Sequence, residues 1–164
     1  MSDITTIEAV LSARGLLSFA GVRILLNAGD LRMIESASDL VRTDPPSQGV
    51  GWIAVSDQWR PVYALSFDLT PLVDEVAAAR PVCAVLGDGG NLFGLLCDDV
   101  LVARGEPLAF RSPPRAMLGA GSPILGLSSD QGKLVCGTDA ASLARCIGTA
   151  IGLDRRIGHE VAET

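Results

Sequence analysis

The sequence predicts an all-β barrel or sandwich, and three short apolar segments carry that prediction: residues 51–65 (GWIAVSDQWRPVYAL), 82–100 (VCAVLGDGGNLFGLLCDDV) and 124–143 (ILGLSSDQGKLVCGTDAASL). The first two, and the opening of the third, read as strand, polar or glycine turn, strand. Strands therefore recur at short intervals with turn signals between them, while helical spacing appears mainly at the two ends. An alternating α/β chain would intersperse its helices with its strands.

Residues 3–14 place Ile4, Ile7, Val10 and Leu11 at helical spacing, which predicts a short amphipathic helix. Residues 16–26 hold Leu17 and Phe19, then Arg23, Ile24, Leu25 and Leu26, divided by Gly21, and read as a first hairpin. Asn27, Ala28, Gly29 and Asp30 form a turn, and residues 31–34 alternate apolar with polar. Residues 43–49 contain Pro45 and Pro46 and form a loop, since paired prolines supply no backbone donors. In the next segment, residues 52–55 are a strand and Ser56, Asp57 and Gln58 the turn. Trp59, Pro61, Tyr63 and Leu65 then share one face by the period of two, and Pro61 places their strand at an edge or a bulge.

Residues 71–79 read as a short helix with Leu72, Val73 and Val76 inward. Residues 82–86 and 91–97 flank Gly87, Asp88, Gly89 and Gly90, a strong hairpin signal because glycine adopts positive φ without steric cost. Residues 107–123 are a connection bearing prolines and glycines. Residues 124–127 and 133–136 flank a further turn over 128–132. Thr138 or Asp139 caps a final helix that runs to about Ile151, with Leu143, Ile147 and Ala150 at helical spacing. Residues 154–164 are charged and read as a frayed tail.

Hydrophobic residues make up 48% of the 164, and the mean hydropathy is +0.37. One well-buried domain, or two small fused barrels, can hold much of that surface. The surplus points either to an Ala/Leu/Val-rich core or to an apolar patch for a partner. The formal charge is −6, the arginines are scattered, and Lys133 is the only lysine. That excludes the basic stripe a nucleic-acid or anionic-membrane partner requires. No apolar run approaches the roughly 20 residues that span a bilayer. The opening residues lack a basic n-region and a long apolar stretch, so the expected location is the cytoplasm.

The chemistry-bearing residues are few. Cys83, Cys97, Cys136 and Cys146 are widely spaced, form no C-x-x-C pair, and are expected to be buried free thiols rather than disulfide partners. The single histidine, His159, lies near the C-terminus, which argues against a zinc site and against a catalytic triad. The run GDGGNLFG over 87–94 resembles a phosphate cradle only superficially. A strand follows it where a helix N-terminus is needed, and no lysine is near. Gly119, Ala120 and Gly121 fail for the same reason, because Pro123 and a strand-like run follow. Asp98 and Asp99 are adjacent on extended chain and point to opposite faces, so they do not converge on one proton. Trp52 and Trp59 flank one turn, and each reads equally as a core residue or as an interface anchor.

In their order and internal spacing the segments resemble the CheW-like domain, the adaptor module of bacterial chemotaxis arrays. Gly51, Val55, Pro61 and Leu65 match its first motif, a leading glycine, a leucine position, a proline and a closing leucine. Gly94, Leu95, Leu96, Cys97, Asp98 and Val100 match its Gly-apolar-apolar-Val-Asp-x-Val motif. Gly126, residues 133–136 and Leu143 match the third, and Leu17, Phe19 and residues 24–26 fit the opening hairpin. The resemblance covers roughly residues 16–147. Departures are specific. The family's Asn-Leu-Arg-Gly has Ala54 for its asparagine, Ser56 for its arginine and Asp57 for its glycine. The acidic residue expected after the first hairpin falls on Met33, with Glu35 close by, and the strand-end Asp is Ala64.

The resemblance implies two small SH3-like β-barrels that share an apolar interface. It implies a CheW-like domain over 15–152, preceded by the helix of 1–14 and followed by a polar tail over 153–164. It implies a non-enzymatic adaptor without cofactor or metal, joining a chemoreceptor to a histidine kinase in chemotaxis or in type IV pilus (twitching) signalling. The partner-binding residues it implies are Leu31, Met33, Glu35, Trp52, Val55, Ser56, Asp57, Trp59 and Tyr63. Gly51, Pro61, Gly94, Asp98, Val100 and Gly126 are its structural positions. The rival reading is a small β-barrel enzyme or ligand-binding sensor, which a deep pocket with convergent polar groups would favour.

Overall fold

Among the described residues, four two-residue hairpin turns organise the chain. Ala20 and Gly21, Ser56 and Asp57, and Gln131 and Gly132 all adopt positive φ, between 50° and 77°, and Gly89 does so at 61°. Positive φ at both central residues gives a turn whose twist matches that of the flanking strands. The computed structural model describes residues 14–73, 79–103, 108–117 and 122–162. The helix expected over 3–14 lies outside these residues except for Arg14, which opens the first strand.

The strands are β1 (Arg14–Phe19), β2 (Val22–Leu25), β3 (Leu31–Ser36), β4 (Gly51–Val55), β5 (Gln58–Tyr63), β6 (Val82–Asp88), β7 (Asn91–Cys97), β8 (Asp99–Ala103), β9 (Gly126–Asp130) and β10 (Lys133–Gly137). A helix, α1 (Ala140–Ala162), follows them. The strands form two five-stranded sheets, ordered β8-β1-β2-β10-β9 and β3-β6-β7-β5-β4. Read across, each sheet pairs antiparallel, antiparallel, parallel, antiparallel. In each, the segment leaving the first edge strand returns to the opposite edge through a reciprocal main-chain pair. Val41 and Trp52 exchange bonds of 2.8 Å, and Arg111 and Leu127 exchange bonds of 2.8 and 2.9 Å. The fold is thus all-β with two small barrels and a helix.

Registers make the barrels equivalent position by position. Gly51 and Gly126 open β4 and β9, the turns fall at 56–57 and 131–132, and Trp59 and Leu134 stand second in β5 and β10. Met33 and Ile34 of β3 correspond to Leu101 and Val102 of β8. No repeat shows in the sequence because the order of the hairpins differs. The β4–β5 hairpin precedes β6–β7, whereas β9–β10 follows β1–β2.

Burial explains why the barrels stay together. One apolar cluster joins Leu17, Phe19, Ile24 and Leu26 of the first barrel to Leu86, Phe93 and Leu95 of the second, under Leu143 and Ile147 of α1. Leu31 and Val100, equivalent positions, both pack against it. A second cluster, with Ile53, Val55, Val62, Val85 and Leu96, fills the second barrel. A smaller one, Leu16, Leu25 and Val135, fills the first. Asp139 caps α1 by accepting from Ser142 N at 2.7 Å, and Asp30 reaches from the inter-barrel turn to Ala140 N at 3.2 Å.

Several expectations need correction. Gln58 is the first residue of β5, Gly87 and Asp88 belong to β6, and Ser128, Ser129 and Asp130 belong to β9, which starts at Gly126 rather than Ile124, so three turns are shorter than the sequence reading made them. Pro71 is not helical: it bridges Leu65, and Val73 is exposed rather than inward, while residues 74–78 and so Val76 lie outside the described set. Helix α1 continues past Ile151 to Ala162. Strand β8, which the sequence reading passed over, begins at Asp99. Pro61 fits its strand because β5 has its second neighbour, β7, only at Val62 and Tyr63.

Candidate partner-binding surface

The outer face of the β4–β5 hairpin is built by cross-strand pairing. Trp52 lies opposite Pro61, and Ala54 opposite Trp59, so these four side chains share one face. Ile53 and Val55 point the other way, into the barrel core. The bridge to Trp52 puts Val41 on the outer face as well. Val41, Trp52 and Trp59 line a shallow groove of about 260 Å³. Trp52 is half-buried and fixed by its Nε1–H, which donates to the Asp44 carbonyl at 2.8 Å. Trp59 has no such tether in the hydrogen bonds described and is 59% exposed.

The residues predicted for partner contact separate into two kinds. Trp52, Ser56, Asp57 and Trp59 lie on the hairpin surface, with Ser56 and Asp57 forming its tip. Val55 and Tyr63 are buried, so both leave the surface set. Tyr63 continues the Trp59–Pro61 face, but that face turns inward past Pro61 and Tyr63 joins the cluster between the barrels. On β3, Met33 is 39% exposed, Glu35 is half-buried, and Leu31 leans on the shared core. Strands β3 and β4 are the two edges of their sheet, linked by the segment that ends in the Val41–Trp52 bridge.

The predicted structural positions have local causes. A Cβ on Gly51 would stand 2.6 Å from the Val41 carbonyl oxygen, inside the bridge that closes the barrel. One on Gly94 would stand 2.7 Å from Cys83 Sγ and 2.9 Å from Val62 Cγ2. Asp98 accepts from Ala20 N at 3.3 Å and donates its own N–H to Ser18 at 2.8 Å, so it ties β8 to the first turn. Asp99 instead accepts from Val100 N at 2.9 Å, and the two carboxylates serve separate backbone groups.

The thiols sit in apolar surroundings. Burial, with the Glu35 charge second, pushes the Cys83 thiol up to about 12. Burial also raises Cys97, Cys136 and Cys146. Such thiols hold their protons and are poor nucleophiles. Among the described residues no helix is long and apolar enough to cross a membrane. Of His159 the structure describes the backbone alone.

Sequence reasoning missed Val41, whose part in the groove depends on a bridge between residues eleven apart in sequence across a proline loop. It also missed the exposed Phe67 and the buried Arg80. The only advance signal for Phe67 was its place between polar neighbours, Ser66 and Asp68.

No family model matches this chain, and no curated protein matches it. Among solved structures it is similar to the scaffolding protein TtCheW from Thermoanaerobacter tengcongensis. The TM-score is 0.59 at 17% identity, covering 77% of this chain and 88% of the other. The fold is therefore CheW-like, as the motif resemblance implied.

Proposed function

We propose that this chain is a non-enzymatic adaptor of bacterial chemosensory signalling, linking a chemoreceptor to a histidine kinase by protein–protein contacts. The observation that carries the reading is Trp59: a large aromatic left 59% exposed beside an apolar groove, on a fold similar to that of a scaffolding protein. The groove's lining of one aliphatic and two indole side chains offers packing surface rather than acid–base chemistry. Where the family pattern has an arginine, Ser56 cannot supply the forked donor that pairs with carboxylates, so docking leans on apolar anchors. Met33 and Glu35 on β3 form a second contact region, and simultaneous occupancy of two surfaces is what couples two partners.

The experiment is calorimetric titration of the purified chain with the kinase regulatory domain and the receptor cytoplasmic domain encoded in the same genome. Binding to at least one of them, weakened about thirtyfold by Trp59→Ala, is expected. Wild-type protein that binds neither overturns the adaptor reading, and unchanged affinity of the variant moves the interface off this hairpin.

A further inference from the structure

Ala20, Ser56, Asp57 and Gln131 adopt positive φ at exposed hairpin turns. Leu69 adopts it too, at 64°, while buried in the core that the two barrels share. A bulky residue holds that conformation only when its surroundings impose it, at a standing cost in free energy. The surroundings here are a tight loop between β5 and β6. Leu65 and Pro71 bridge, and Leu72 N donates to Ala64 O at 2.7 Å, which closes the base of the loop. Within it, Ser66 N donates to Thr70 O at 2.8 Å, Leu69 N to Ser66 O at 3.0 Å, and Thr70 N to Ser66 Oγ at 3.2 Å. The Ser66 hydroxyl also donates to the Asp68 carboxylate. With Leu69 turned into the core, Phe67 is turned outward.

The same residue meets α1 twice. Its side chain joins the cluster that Leu143 and Ile147 cover, and Cys146 of α1 donates its Sγ–H to the Leu69 carbonyl at 3.8 Å. The start of α1 is held separately, by Asp139 and Asp30. We propose that the loop over 66–70 is a strained catch for α1, so that the loop and the helix from Leu143 onward open together as one unit of lower stability than the sheets. Opening lets Leu69 relax to negative φ, which offsets part of the burial lost. Strands β6 and β7 are each paired on both sides and keep their bonds when the catch opens. The apolar junction beneath α1 is thereby bared without unfolding either sheet. The inference stands apart from the adaptor reading.

Native-state hydrogen exchange of the full chain, followed by NMR, tests it. In the wild type, the amides of Leu69 and Thr70 and those of residues 147–151 exchange through openings of one free energy, smaller than that of the β6 and β7 amides. Ser66→Ala removes the loop's side-chain bonds from a position outside the apolar clusters, and accelerates both sets by one factor, about three- to tenfold. Leu69→Ala and Leu69→Gly lose the same side chain, but glycine adopts positive φ without strain. The glycine variant therefore exchanges about fivefold more slowly than the alanine variant, the reverse of the usual order. Should either Leu69 variant fail to fold, the wild type and Ser66→Ala still decide the matter. Unequal opening free energies for loop and helix, helix amides as slow as those of β6 and β7, helix exchange unmoved by Ser66→Ala, or an alanine variant as slow as the glycine one overturns the proposal. None of these measurements involves a kinase or a receptor, so a failure here is distinct from a failure of the adaptor test.

Discussion

The guanidinium of Arg80 lies 5.3 Å from the centroid of the Phe19 ring, which places a cation from the second barrel on an aromatic of the first. Arg80 is only 4% exposed, and its Nη1 donates to the Leu96 carbonyl at 3.4 Å. The side chain therefore joins the barrels by packing, by cation–π attraction and by a carbonyl bond. Arg80→Ala is expected to cost about 2–4 kcal/mol through lost packing and an emptied volume. That corresponds to a fall in Tm of about 5–10 °C for a chain of this size. Arg80→Met retains most of the volume and is expected to cost about 1 kcal/mol. Equal melting curves for wild type and Arg80→Ala would show that this contact does not hold the barrels together.

Gly51 and Gly126 occupy equivalent positions, but a side chain would meet different obstacles there. At Gly51 the obstacle is main chain, the Val41 carbonyl at 2.6 Å. At Gly126 it is the Phe110 Cβ at 3.0 Å, with ring carbons at 3.3 and 3.4 Å, a looser approach than the carbonyl makes at Gly51. Gly51→Ala is thus expected to destabilise by about 2–3 kcal/mol and Gly126→Ala by about 1 kcal/mol or less. Urea midpoints of the two variants give the order, and a larger loss at Gly126 contradicts it.

The two tryptophans separate stability from docking. Trp59→Ala removes an exposed side chain and is expected to leave folding stability within about 0.5 kcal/mol. Trp52→Ala removes a half-buried ring and the bond to Asp44, and is expected to cost about 1–3 kcal/mol. Chemical denaturation followed by far-UV circular dichroism measures both. A Trp59→Ala variant that unfolds would make the ring structural and remove it as an anchor.

The Cys83 thiol gives the alkaline limb of stability a definite sign. Its proton is held up to about 12 in the folded chain against an ordinary value of 9.0. Below pH 9 both states carry the proton and the thiol's stabilising contribution is complete. Between pH 9 and about 12 only the folded state retains it, and stability falls by up to about 1.4 kcal/mol per pH unit. Cys83→Ala or Cys83→Ser is expected to flatten this limb in urea titrations at successive pH values, and an unchanged slope assigns it to other groups. Thiol-reagent kinetics at pH 8 are expected to show Cys146, the half-buried cysteine, reacting first.

Hairpins were legible because they are local. A two-residue turn declares itself in a glycine or aspartate between alternating runs, and Gly21, Asp57, Gly89 and Gly132 all stand at positive φ. Gly51, Gly94 and Asp98 were legible as motif positions, though their reasons, a carbonyl at 2.6 Å, a buried sulfur and the turn at Ala20, are contacts between distant segments. Alternation also assigns Trp59, Pro61 and Tyr63 to one face. It does not say which part of that face another barrel covers, and so it does not distinguish exposed Trp59 from buried Tyr63. That distinction arises only when the two sheets pack, because burial is a property of what lies opposite a side chain. The same holds for the Val41–Trp52 bridge, the burial of Arg80 against Phe19, and the outward turn of Phe67, which follows from Leu69 being drawn into a core shared by both barrels and α1.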